Sequence, residues 1–102
     1  RFTTELLDAD PQINAVFAAS DVMAAGVLDA AAERDVQVPG QLLVGGFDDS
    51  FVATSVDPEL TTIRQPFDRI SAELVSVLMR EISDGYRAAV TVPVELVPRA
   101  ST

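Results

Sequence analysis

Apolar residues in this chain fall into short unbroken runs separated by longer stretches with helical spacing. Residues 13–19 are apolar around Asn14, carry Val16 and Phe17, and lie between Asp10-Pro11 and Ser20-Asp21. A run of that length without alternation predicts a buried strand. Residues 21–35 are alanine-rich and free of proline, with charges gathered late, so a helix follows whose low surface at Ala24, Ala25 and Gly26 permits close packing. Val38-Pro39-Gly40 makes a turn, and residues 42–47 form a second buried strand ending at Asp48-Asp49. A short helix is expected between Ser50 and Asp57-Pro58. Leu60-Thr61-Thr62-Ile63-Arg64-Gln65 is β-branched and alternating, hence a third strand, stopped by Pro66. Phe67, Ile70, Leu74, Val77, Leu78 and Ile82 trace one face of a helix over residues 67–83 that ends at Asp84-Gly85. Residues 90–97 are extended, with Pro93 favouring an edge position or a bend. Strands alternating with helices predict an α/β fold with an open, mainly parallel sheet flanked by helices.

At 102 residues there is room for one domain, and 48% hydrophobic residues give it a globular composition. Residues 1–7 read as the last turns of a helix that starts upstream, so the chain is expected to be a piece of a longer protein. Sixteen acidic residues face seven basic ones, all arginine and scattered, for a net charge of −9. No basic patch can form that would hold a phosphate backbone, so this piece is not expected to bind DNA by itself. Cysteine and histidine are both absent, which removes disulfides and ordinary zinc sites but does not decide the compartment. No apolar run approaches the roughly 20 residues of a membrane span, and no leader opens the chain. No membrane partner, metal or cofactor is expected.

A family resemblance rests on motifs in fixed order. They are Ala15-Val16-Phe17-Ala18-Ala19-Ser20-Asp21, Met23-Ala24-Ala25-Gly26, Val38-Pro39, Val44-Gly45-Gly46-Phe47-Asp48-Asp49, and Pro58-Glu59-Leu60-Thr61-Thr62-Ile63-Arg64-Gln65-Pro66. Together with the closing residues 94–102 they resemble the C-terminal part of the effector domains of LacI-type transcriptional regulators, over essentially the whole chain. The resemblance implies a two-lobed, type I periplasmic-binding-protein-like fold with a small sugar-like effector held between the lobes. It implies residues 1–65 in the C-lobe, a helix of the N-lobe within 66–90, and a return to the C-lobe over 91–102. It further implies a cytoplasmic homodimer, and operator DNA held only through an N-terminal domain outside this sequence.

Asp48 matches the family's effector-binding aspartate. It follows a buried strand, and open α/β sheets bind ligands beyond the carboxyl ends of their strands. A carboxylate accepts bonds from two hydroxyls, which suits a sugar diol; the plainer alternative is a turn cap. Ser20 stands where many relatives carry asparagine, and a single hydroxyl offers less to a sugar than an amide does. Asp21 and Asp49 are read as helix caps. Gln65 aligns with a crossover residue that reaches the cleft, while Arg64 before it is read as a structural ion pair. Phe47 is read as core, with stacking on a sugar as the alternative. Phe51 and Val56 fit a dimer contact in the family, although single exposed hydrophobes are commonplace.

Other functions are open to the same residues. A periplasmic sugar receptor would share the fold, though the Leu60–Pro66 crossing favours the regulator. The pair Asp48-Asp49 could hold Mg²⁺ in an enzyme, yet no lysine, phosphate loop or third convergent acid accompanies it. No catalysis is expected.

Overall fold

The first two strands form inside the apolar runs and are shorter than them. β1 spans Ala15–Phe17 and β2 spans Leu43–Gly45 in a computed structural model that describes residues 1–102. They pair in parallel, with Ala15 opposite Leu43, Val16 opposite Val44 and Phe17 opposite Gly45. Parallel bridges from Gly45 to Thr61 and from Asp48 to Arg64 carry the sheet on to β3, Thr62–Arg64. β3 in turn pairs with β4, Glu95–Val97. The sheet is therefore open and mainly parallel.

Side chains alternate across a strand, so each strand presents two faces. Leu42 and Val44 point to one face and are fully buried, as are Leu60 and Ala53. Helix α2, Asp21–Ala32, covers them with Ala24, Val27, Leu28 and Ala31. Its small residues let the helix lie close to the strands. The helix stops at Ala32, short of the expected residue 35. Asp35 turns left-handed (φ 55°) and the Val36 amide returns to the Ala31 carbonyl at 2.9 Å. That is the usual closure of a helix C-terminus, with Asp35 where glycine is common.

Helix α1, Phe2–Ala9, packs beside α2. The Arg34 guanidinium ties them together, donating to Thr4 Oγ1 at 3.2 Å and to both Asp8 oxygens at 3.1 Å. A single turn, α3 at Val52–Ser55, seats Ala53 in the core. The other face of the strands is bare: Phe17 and Leu43 are exposed and line an open apolar trough with Ile63 and Leu96. Two-sided burial, which the uninterrupted apolar runs predict, is not met within these residues.

The chain divides into two compact units, Arg1–Arg64 with Leu96–Thr102, and Gln65–Glu95. The divisions fall at 64/65 and 95/96. The second unit is built on helix α4, Phe67–Asp84, which begins after Pro66. It ends at Gly85, whose φ of 71° and N–H bond to the Glu81 carbonyl (2.9 Å) close the last turn. Ala88, Val90 and Val92 then line one groove with Ile70, Leu74 and Val77, which keeps residues 91–95 with this unit. Phe67, Val75, Leu78, Met79 and Ile82 stay exposed. No helix is long and apolar enough to cross a membrane.

Candidate functional site

The carboxyl ends of β1 and β2 are drawn together by one main-chain bond, from the Asp21 amide to the Phe47 carbonyl at 2.9 Å. Ser20-Asp21 and Asp48-Asp49 thereby meet at one edge of the first unit. Ser20 is extended (φ −151°, ψ 162°) and its hydroxyl accepts the Met23 amide at 3.2 Å. Ser20, and not Asp21, is thus the cap of α2. The extended entry swings the serine oxygen over the first helical turn, which leaves Asp21 as the first residue inside it.

Asp21 is fully buried and its carboxylate turns toward the neighbouring strand ends. It accepts the Ser50 amide at 2.7 Å and the Ser50 hydroxyl at 3.1 Å on one oxygen, and the Thr62 hydroxyl on the other. Three neutral donors satisfy this buried acid, as a buried carboxylate requires. It is a knot joining the ends of three segments rather than a cap.

Asp49 is not a cap either. α3 starts after Phe51 with no side-chain cap. The Asp49 carboxylate instead takes Arg64 Nε at 2.7 Å on one oxygen and Arg99 Nη2 at 2.7 Å on the other. Charge-assisted bonds of this length outcompete a neutral amide. The Arg99 hydrogen bond holds the Asp49 carboxyl below the usual carboxylate range; burial opposes it, and the Arg64 bond and both positive charges reinforce it. Arg64 is the structural ion pair that alternation along its strand predicts.

Asp48 is half-buried, and its amide donates to the Ile63 carbonyl at 2.9 Å. Its φ is 120° and that of Asp49 is 56°, so two consecutive non-glycine residues are left-handed. Phe47 beside them is half-buried, so it is only partly core. Gln65 opens the second unit, where its carbonyl accepts the Phe67 amide at 3.0 Å. The first unit thus brings together Ser20, Asp21, Asp48 and Asp49, while Gln65 belongs to the other. Phe51 is 82% exposed, and Val56 is half-buried against the core.

Sequence reasoning missed two tail residues. Arg99 supplies the more buried partner of Asp49, and Ser101 is fully buried. The Ser101 hydroxyl donates to the Val44 carbonyl at 2.6 Å and accepts the Thr61 amide at 2.8 Å. A lone arginine in an apolar tail of an acid-rich chain is a faint signal for a buried ion pair. Nothing local marks the serine.

The edge thus gathers a hydroxyl and three carboxylates at strand ends, with those of Asp21 and Asp49 taken by Ser50, Thr62, Arg64 and Arg99. The family model of the periplasmic binding protein-like domain matches residues 2–102. The ribose operon repressor of Halalkalibacterium halodurans is 35% identical over 106 residues, covering 100% of this chain and 31% of the repressor. A solved transcriptional regulator CelR–cellobiose complex superposes with a TM-score of 0.91 and 32% identity, over 98% of this chain and 31% of that one. The lac repressor dimer bound to operator and the anti-inducer ONPF superposes with a TM-score of 0.87 and 31% identity, over 99% of this chain and 36% of that one. The chain spans 31–36% of the length of these proteins.

Proposed function

Because the chain belongs to the periplasmic binding protein-like domain family, and within it to the effector domains of LacI-type regulators, we propose that it is the sugar-holding part of a DNA-binding transcriptional repressor. The observation that carries this is the joined edge of β1 and β2, where Asp48 and Ser20 stand at strand ends tied by the Asp21–Phe47 bond. Ligands of open α/β sheets bind at such an edge. The Asp48 carboxylate accepts two sugar hydroxyls, while Ser20, already accepting the Met23 amide, donates its own hydroxyl proton. An effector that binds one lobe arrangement better than another shifts operator affinity by that difference and no more.

The rest of the machine lies outside this sequence. Operator DNA is bound by an N-terminal domain, which suits a chain whose own net charge is −9. Phe51, exposed, and half-buried Val56 flank α3 and are the residues offered for a homodimer contact. A repressor that meets its operator works in the cytoplasm. The named repressors among the similar proteins support this reading over a periplasmic receptor.

The test is Asp48→Ala in the full-length regulator, titrated with pentoses, hexoses and disaccharides while operator binding is followed by fluorescence anisotropy. Loss of the charge-assisted bonds should raise the sugar concentration for response roughly 100-fold, and leave sugar-free operator affinity unchanged. A response that survives makes Asp48 structural.

A further inference from the structure

Two left-handed aspartates in succession are an expensive backbone, held only where the surroundings over-determine it. Main-chain bonds supply part of the restraint: the Asp48 amide to Ile63 at 2.9 Å, and the Asp49 amide to Thr62 Oγ1 at a weaker 3.3 Å. The stronger hold is on the Asp49 side chain, which is 10% exposed and gripped from both sides at 2.7 Å. The two grips differ. Arg99 is 14% exposed and itself anchored, its Nη1 donating to the Leu60 carbonyl at 2.9 Å and its amide to Thr61 Oγ1 at 2.8 Å. Arg64 is 48% exposed and so the softer arm.

We propose that Asp49 is a positioning residue for the effector site: its carboxylate, clasped between Arg99 and Arg64, sets the left-handed Asp48–Asp49 backbone and with it the place of the Asp48 carboxylate. This rests on the reading that Asp48 holds the effector. A buried ion pair is a poor source of stability compared with apolar packing, so its use beside the site fits a device that specifies one conformation. The clasp also joins three stretches of the first unit: the loop after β2, the end of β3, and the tail after β4. Arg64 is the last residue before the chain leaves this unit, and Arg99 follows soon after it returns. One carboxylate therefore registers the loop against both strands that run to and from the crossings.

The experiment is residue-resolved amide hydrogen exchange on the intact regulator and on its Asp49→Asn and Arg99→Lys variants. Asp49→Asn keeps the size of the side chain and removes its charge. Exchange at the Asp48 and Asp49 amides should rise by about tenfold or more, while Val27 and Leu28 in α2 change less than about twofold. Arg99→Lys keeps the charge and loses the fork, and should give an intermediate increase. Should Asp49→Asn fail to fold, Arg64→Gln weakens only the exposed arm, and a smaller rise confined to the same amides is expected. Unchanged exchange at Asp48 and Asp49, or equal acceleration throughout, overturns the proposal, the latter because it marks a merely global role. Failure of the effector reading appears separately, as an Asp48→Ala regulator that still responds to sugar.

Discussion

Asp21 and Gly46 form a pair in which the placement of one residue's carboxylate leaves no room for a side chain on the other. A Cβ at Gly46 would lie 2.6 Å from Asp21 Oδ1 and 2.8 Å from Leu60 Cδ2, both in the sealed interior. The carboxylate cannot retreat without leaving Ser50 or Thr62, so Gly46→Ala should destabilise the effector domain by about 2 kcal/mol, read from urea unfolding. Asp49 makes a prediction about acid. Its carboxyl titrates below the ordinary value because of Arg99 first and Arg64 second, with burial opposing. The stability it adds is therefore complete above the unfolded aspartate value of about 3.9 and is lost as pH falls through the lower folded one. Wild type should exceed Asp49→Asn in melting temperature at neutral pH, and the gap should close only below about pH 4. A gap that does not depend on pH would count against the ion pairs. At this scale the sequence was half legible. Residue types mark Ser20-Asp21 as a helix start, but the reading that gave the cap to Asp21 fails because its carboxylate is taken by partners 29 and 41 positions away, at Ser50 and Thr62.

Elements were easier to read than their ends. The periodic face of α4 and its stop at Asp84-Gly85 follow from local spacing and from the one residue that takes φ 71° without penalty. Strands shrank because pairing, not apolarity, defines them, and the short neighbours leave flanking residues unpaired. The tail repairs one such gap. Val44 lies beyond the start of β3, so its amide donates to the Ser101 carbonyl at 3.0 Å and its carbonyl accepts the Ser101 hydroxyl at 2.6 Å. Ser101 also accepts the Thr61 amide, and its own amide reaches the Glu59 carbonyl at 3.0 Å. A residue at the chain's end thus stands in for a missing ladder rung between β2 and β3. Ser101→Ala would strand a buried amide and a buried carbonyl together. The expected loss is roughly 2 kcal/mol or more in denaturant unfolding of the effector domain, whereas Ser83→Ala on exposed α4, where the hydroxyl only back-bonds to the Met79 carbonyl, should change little. Equal effects would mean that the tail only packs and does not complete the sheet.

Across the whole molecule the apolar surface is larger than the chain can bury. The resemblance in sequence located the fold and the strand-end edge, but the faces that stay open could be seen only once the elements were placed. Phe17, Leu43 and Leu96 leave one side of the first unit's strands uncovered, and Phe67, Leu74, Leu78 and Ile82 leave α4 uncovered in the second. Such stripes, in a chain that spans 31–36% of its similar proteins' length, are the kind of surface that associates when left in water. The 102-residue chain by itself should therefore run as an oligomer in size exclusion with light scattering. Its charge of −9 opposes this at low ionic strength and should oppose it less as salt screens the repulsion, so the oligomer fraction should grow with salt. Leu78→Glu, placing a charge in the middle of the α4 stripe, should lower that fraction without altering the chain's far-ultraviolet signal. A monodisperse monomer with a single cooperative calorimetric transition would show instead that each unit is stable with its apolar face in water, and that the open faces do not drive assembly.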